Sequence, residues 1–593
     1  MIEDYALIGD CQTAALVGRD GSIDWLCLPR FDSPACFAAM LGRPDHGRWR
    51  LAPAGAGARV SRSYRGDTLV LDTTFETDDG TVVVTDAMPI RTVEPDLVRL
   101  VRGVRGRVRM RMELVVRFDY GSITPWVRRE NGGIIAVGGP DTLHLRTPVE
   151  TRGEGWSTVA EFEVAEGETV PFVLTWHPSH EPPPPAIDAV AAIAETEATW
   201  SAWAAKCRYE GEWRDAVVRS LLTLKALTYA PTGGIVAAPT TSLPEQIGGT
   251  RNWDYRYCWL RDATFTLTAL IQSGYLEEAR AWRSWLLRAV AGRGDELHIM
   301  YGLAGERRLP EMELPWLPGY EQSRPVRVGN GAYSQFQLDV FGEVLDCLHL
   351  ARHFGMRDDA ADWRVERELL ARLEDVWAEP DEGIWEVRGP RRHFTHSKLM
   401  AWVAFDRAVR DAERFGFDGP VARWRALRDQ LHAEICERGF DRSRNAFVQS
   451  YGSHEVDAAV LVMPQVGFLP ASDPRFVGTV AAIEQDLVRD GLVDRYRTES
   501  GVDGLPHGEG AFLLCTFWLA DAYILMDRRD EARAIFSHLL SIRNDVGLLA
   551  EEYDPVARRQ LGNFPQAFSH LGLINTARNL TNGHAPARVR TEA

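Results

Sequence analysis

The amino-acid sequence predicts a multidomain α and β fold, an N-terminal antiparallel β-sandwich followed by a helical half. Three observations predict it. Up to about residue 180 the apolar residues alternate or run β-branched, as strands do. The run Glu181-Pro182-Pro183-Pro184-Pro185 then breaks the pattern and reads as a stiff linker. Beyond it the apolar period becomes helical. At 593 residues the chain is also too long for one ordinary core, so two large domains are expected.

In the first part, the segments Leu69 to Glu76, Thr81 to Asp86, Leu97 to Val104, Val108 to Phe118 and Val170 to Trp176 read as strands. Glycine-rich turns separate several of them, such as Asp78-Asp79-Gly80, Asn131-Gly132-Gly133 and Gly138-Gly139-Pro140. The sandwich should occupy residues 1–185 and a linker helix 186–212. The helical domain should fill 213–585, with a disordered tail at 586–593.

In the second part about twelve amphipathic segments can be counted by apolar spacing. They run over 214–230, 261–275, 277–292, 332–354, 360–377, 396–414, 419–438, 454–468, 474–489, 509–527, 529–542 and 566–580. Gly274, Gly355 and Gly416 close several of them. The loops before alternate helices are long. That alternation suits a toroid of helical hairpins with one functional rim; an irregular helical solenoid has the same periodicity.

Composition narrows the function. Hydrophobic residues make up 45% and charged residues 25%, as in an ordinary folded protein. The net charge of -17 argues against a nucleic-acid partner, which needs clustered Lys and Arg. A neutral substrate would not be repelled. The 19 Trp and 15 Tyr chiefly serve packing, but aromatic faces also stack on sugar rings. Eight scattered cysteines form no CxxC pair and no zinc spacing, and no HExxH occurs, so no metal and no cofactor are expected. No leader is visible at Met1-Ile2-Glu3-Asp4-Tyr5, and no apolar stretch would span a membrane, so the expected compartment is the cytoplasm.

The long loops hold the polar and aromatic clusters. Two carboxylates from distant loops are what glycoside hydrolysis requires. Glu386, beside Trp385 in Gly383-Ile384-Trp385-Glu386-Val387-Arg388-Gly389, and the pair Glu551-Glu552 in Leu549-Ala550-Glu551-Glu552-Tyr553-Asp554 are the candidates. Both runs are expected in loops just before a helix. The apolar neighbour Trp385 should raise the carboxyl pKa of Glu386, which suits an acid. Glu551 and Glu552 are adjacent, so one should be raised in pKa or turned outward. Arg261 and Asp262, following Trp259 in Tyr257-Cys258-Trp259-Leu260-Arg261-Asp262, read either as a fork gripping vicinal hydroxyls or as a helix cap with its ion pair. Arg495 reads either as a contact to a leaving-group sugar or as a surface salt bridge. Glu306, Glu311 and Glu313 read as solvated acids.

In this order the clusters resemble glycoside hydrolase family 15, the glucoamylase and bacterial trehalase-type family, across nearly the whole chain. The opening runs Ile2-Glu3-Asp4-Tyr5-Ala6-Leu7-Ile8-Gly9-Asp10 and Gly21-Ser22-Ile23-Asp24-Trp25-Leu26-Cys27 are similar to the β-domain of its bacterial trehalase-type members. The resemblance implies an (α/α)6 barrel behind the sandwich and an inverting mechanism. It places the general acid on Glu386, by Ile384-Trp385-Glu386-Val387. It places the general base on Glu551 rather than Glu552, by Ala550-Glu551-Glu552-Tyr553-Asp554. Val387 departs from the second acid of the family's run and takes no role. Arg261 and Asp262 would bind the non-reducing glucose and form a closed end that enforces release of one glucose. Trp259 and Trp385 would wall the pocket, and Arg495 would contact the leaving-group sugar. For inversion the two carboxyls should stand about 6.5–9.5 Å apart, leaving room for water.

The expected activity is therefore an inverting exo-acting α-glucoside hydrolase on a small neutral α-glucoside, with trehalose first. A glucoamylase or isomaltose-type exo-α-glucosidase is the alternative substrate reading, and a non-catalytic carbohydrate-binding protein the alternative class. No nucleic acid and no membrane are expected as partners; homo-oligomerisation is left open.

Overall fold

The computed structural model describes residues 1–130, 133–292, 297–356 and 360–581. The expected tail at 586–593 lies outside them.

The N-terminal domain is antiparallel, and one strand organises it. Asp96–Val115 pairs near its start with Gly80–Ala87 and Thr169–Pro178, and near its end with Arg48–Pro53 and Ser157–Ala165. One continuous strand thus serves both parts of a single 15-stranded sheet that folds into the sandwich. The sequence reads this stretch as two strands, Leu97 to Val104 and Val108 to Phe118, with Gly103 inside the first and Gly106 between them. The structure keeps it whole, and the glycines are where neighbouring backbones come closest. A Cβ at Gly103 would lie 2.1 Å from the Ala165 carbonyl oxygen, and one at Gly106, whose φ is +69°, 2.2 Å from that of Asp79.

After the proline run, α1 (Ala189–Ala204) links the halves. Asp188 caps it by accepting from the Val190 and Ala191 N–H groups. The helical domain then contains α2 (Arg214–Ala226), α3 (Ala263–Ser273), α4 (Leu276–Val290), α5 (Asp339–His353), α6 (Ala360–Val376), α7 (Thr395–Phe415) and α8 (Val421–Arg438). It closes with α9 (Pro474–Asp486), α10 (Leu513–Leu525), α11 (Arg529–Ser541) and α12 (Ala567–Thr581).

An inner ring closes on itself: α3 packs on α5, α5 on α7, α7 on a 3-10 turn (Ala458–Val462), that turn on α10, α10 on α12 and α12 on α3. Outer helices follow their inner partners, α4 after α3, α6 after α5, α8 after α7 and α11 after α10, while α2 packs on α12. This is an (α/α)6 barrel. Inner helices α5, α7 and α10 are buried nearly all round, whereas outer α8 buries only the stripe Trp424, Leu427, Leu431 and Ile435.

The helix predicted over 454–468 is absent. That inner position holds the 3-10 turn instead. Pro464 has no N–H to give and its ring would clash with the carbonyl four residues back, so an α-helix cannot run through it.

The two domains are bonded together close to the site. Trp25 Nε1 donates to the Pro239 carbonyl at 2.7 Å, and the buried Arg256 reaches the Ser33 carbonyl at 3.0 Å while pairing with Asp254. Among the described residues, no helix is long and apolar enough to cross a membrane.

Candidate active site

A narrow cavity opens at one rim of the barrel. Four chain segments line it: Glu245 to Arg261, Asn330 with Ala332, Trp385 to Arg388, and Arg495 to Phe512. These are the loops that separate the helices.

Short β-pairings fix the first segment. Thr241–Pro244 pairs with Asn252–Asp254, and Cys258–Trp259 with Met300–Tyr301. They set Tyr255 and Trp259 edge to face, with ring centroids 5.2 Å apart. Each ring holds one of the two candidate carboxyls. Trp259 Nε1 donates to Glu386 Oε1 at 2.6 Å, and the Tyr255 hydroxyl donates to Glu551 Oε1. Glu386 lines the cavity. Glu551 is 1% exposed and lies outside the lining residues, as do Trp259 and Asp262, expected to wall and close the pocket but buried behind it.

Glu386 sits at φ +58°, a left-handed conformation that a non-glycine residue adopts at a cost of about 1–3 kcal/mol. Gln335 Nε2 holds the turn by donating to the carbonyls of Glu386 and Val387, each at 3.1 Å. Arg261 Nη1 donates to Glu386 Oε1 at 3.2 Å and to the Ile384 carbonyl at 2.9 Å. Arg261 Nε lies 3.5 Å from Asp262 Oδ1. Asp262 stands at the start of α3 but makes no side-chain capping bond, so the capping alternative fails and the ion pair remains. Burial raises the Asp262 carboxyl to about 6, against the pull of Arg261.

Trp385 lines the cavity together with Glu386. Its indole N–H points to Asp457, at 2.9 Å. Arg495 is no surface salt bridge. It is buried and binds Glu509 through Nε at 3.0 Å, and Glu245 and Glu509 through Nη2 at 2.9 and 2.6 Å.

The run Glu551-Glu552 is not a simple loop before a helix. Glu552–Asp554 forms a strand between Ala511–Phe512 and Arg559–Leu561, and α12 follows later. This small sheet buries both glutamates, so neither turns outward. Burial raises both carboxyls, and the nearby Glu245 raises them further; Glu551 reaches about 8.

Sequence reasoning gave no role to Glu245, Tyr255 or Glu509. Carboxylate oxygens of Glu245, Glu509 and Glu552 lie within 4.8 Å of one another, a grouping that could hold a cation. Its charge is met here by Arg495 and by Arg251, whose Nη1 donates to Glu509 at 3.0 Å. Local sequence carries no signal for this cluster, since Glu245 follows an unremarkable strand. Of the acids read as solvated, Glu313 is exposed, Glu306 pairs with Arg30 at 3.0 Å, and Glu311 grips Arg388 at 2.7 Å beside the cavity.

The family model described as "Glycosyl hydrolases family 15" matches residues 211–578, and one described as "Trehalase-like, N-terminal" matches 1–181. A trehalase of Mycobacterium tuberculosis is 40% identical, covering 97% of this chain and 88% of its own length. A trehalase of Thermoplasma acidophilum is 36% identical, covering 95% and 98%. A bacterial glucoamylase solved with acarbose superposes at a TM-score of 0.75, covering 100% of this chain and 96% of its own; at 12% identity this is a likeness of fold. With a barrel, a cavity rimmed by its loops and family matches over both domains, the chain belongs to glycosyl hydrolase family 15.

Proposed function

We propose that this chain is an inverting, exo-acting hydrolase that cleaves trehalose to glucose. Its supporting observation is the placement of two carboxyls on adjacent rings, Glu386 on Trp259 and Glu551 on Tyr255, in a chain whose near-full-length relatives are trehalases. Glu386 protonates the glycosidic oxygen as the bond to the anomeric carbon breaks. Glu551 takes a proton from the water that attacks that carbon from the opposite face. Arg261 binds the non-reducing glucose at the closed end and Trp385 forms a wall, while Trp259 and Asp262, buried outside the cavity lining, hold Glu386 and Arg261 in place. Arg495 uses Nε and Nη2 on Glu245 and Glu509, and offers Nη1 to the leaving sugar. Eight free cysteines, six of them buried, suit a reducing cytoplasm.

Glucose release from trehalose, maltose, isomaltose and soluble starch tests the substrate. Trehalose should be the best substrate, and proton NMR of the first products should show one β-glucose and one α-glucose per turnover. Activity on starch with none on trehalose overturns the substrate assignment. Two α-glucose products overturn inversion.

A further inference from the structure

A second cavity of about 470 Å3 opens within the sandwich and shares no lining residue with the barrel cavity. Its floor is aliphatic. Leu114 and Val116 come from the end of the long strand, and Ile134, Leu143, Leu145 and Leu174 from the strands facing it. Facing sheets normally interdigitate to crystal-like density, so an open apolar space between them needs an occupant. Trp126 and Trp156 also line it and are 66% and 79% exposed. Large exposed aromatics beside an apolar cavity mark a ligand site.

The charge around this cavity has one sign. Arg117, Arg128, Arg129 and Arg152 line it, and no Asp or Glu does. Arg128 is neutralised by Glu130, and Arg152 by Glu154 and Glu161. Arg117 and Arg129 have no carboxylate within ion-pair distance among the described residues. Arg117, only 8% exposed, donates to the Val116 carbonyl at 2.6 Å, and Arg129 donates to that of Thr151. The uncompensated guanidinium of the buried Arg117 against apolar walls is costly, and an anion relieves it; Arg129 is exposed and adds its charge at the mouth. A further cavity of about 330 Å3 shares Arg129, Ile134 and Leu145 with the first; Glu130 and Glu150 line it, so the cationic lining ends at Arg129. A neutral sugar fits poorly, because no Asn, Gln, Asp, Glu or His lines the larger cavity to bond its hydroxyls.

We propose that the sandwich binds an anionic amphiphile of the fatty-acid type, its alkyl chain between the layers and its carboxylate facing Arg117 and Arg129. The site is separate from the hydrolytic one and does not rest on its assignment.

Calorimetric titration of the full-length chain with dodecanoate, dodecanol and maltoheptaose tests it, each lipid kept below its aggregation limit. Dodecanoate should bind saturably at one site, and dodecanol about tenfold or more weaker, since the charged hydrogen bonds are lost. Arg117→Gln with Arg129→Gln should erase that preference, and Arg129→Gln alone, at an exposed side chain, should reduce it. Ala136→Trp, which fills the cavity, should abolish binding. Thermal melting and glucose release should stay unchanged, which reports an intact fold. Absence of saturable dodecanoate binding, equal affinity for dodecanol, undiminished binding in Ala136→Trp, or binding of maltoheptaose alone each overturns the proposal.

Discussion

Trp259 and Glu386 are joined side chain to side chain, the indole Nε1 donating to carboxylate Oε1 at 2.6 Å. Arg261 donates to the same oxygen. Among the described residues no hydrogen bond falls on Oε2, so that oxygen is the one free to pass a proton. Trp259→Phe keeps the ring and removes the donor. It should lower kcat about tenfold with little change in KM, as expected when a bond to a charged group is lost from the reacting centre. Steady-state kinetics on trehalose check this. A raised KM with kcat intact would mean that the bond serves substrate binding rather than proton transfer.

Glu386→Gln and Glu551→Gln remove the proton donor and the proton acceptor while keeping shape. Each should reduce kcat by about a hundredfold to ten-thousandfold. Thermal melting should show both variants folded. Unchanged turnover in either would remove that residue from its role.

Glu551 carries a pH signature of known sign. Burial first, then Glu245, raises its carboxyl to about 8, while Arg495 lowers it. A base works only when ionised, so activity is present above that value and lost as the pH falls through it. The acid limb of kcat/KM should therefore lie well above the ordinary carboxyl range. Glu245→Gln deletes a negative neighbour and should move the limb down by about one unit, and Arg495→Gln should move it up by a similar amount. Shifts of equal sign in the two variants would rule out Glu551 as the group observed.

Glu552 tests the buried carboxylate cluster. Its carboxyl is pushed up by burial, then by Glu245 and Glu509. A carboxyl raised in the folded state holds its proton more tightly there than in the unfolded chain. The site thus loses stability as the pH rises above the unfolded value of about 4.3. Glu552→Gln mimics the protonated form and ends that loss. Its melting temperature should match or exceed the parent's, with the gain growing toward higher pH, and turnover should stay within a few-fold. A collapse of kcat would mean that the reaction needs a charge at Glu552.

Legibility in the sequence followed the range of each interaction. The long runs of alternating residues and the helical stripes are local, and they located the sandwich and eleven of the helices of the barrel within a few residues at most ends; α5 and α10 begin later than their spacing suggests, behind a 3-10 turn and a short strand. The same local pattern failed at 454–468, where apolar spacing looks helical but Pro464 sits in a buried inner-ring position. It also split Asp96–Val115, where Gly103 and Gly106 meet the approach of Ala165 and Asp79 from other strands.

The sequence by itself determined the two-part architecture, the loops that carry chemistry and the identity of Glu386, Glu551, Arg261, Asp262, Trp259, Trp385 and Arg495 as candidates. Only the tertiary structure decided their surroundings. It set Tyr255 against Glu551 across 296 residues and Arg495 against Glu245 across 250, and it buried Glu552 with them. The physical reason is that charge and desolvation act through space over a few ångströms, whereas periodicity reports only which face of its own element a residue occupies.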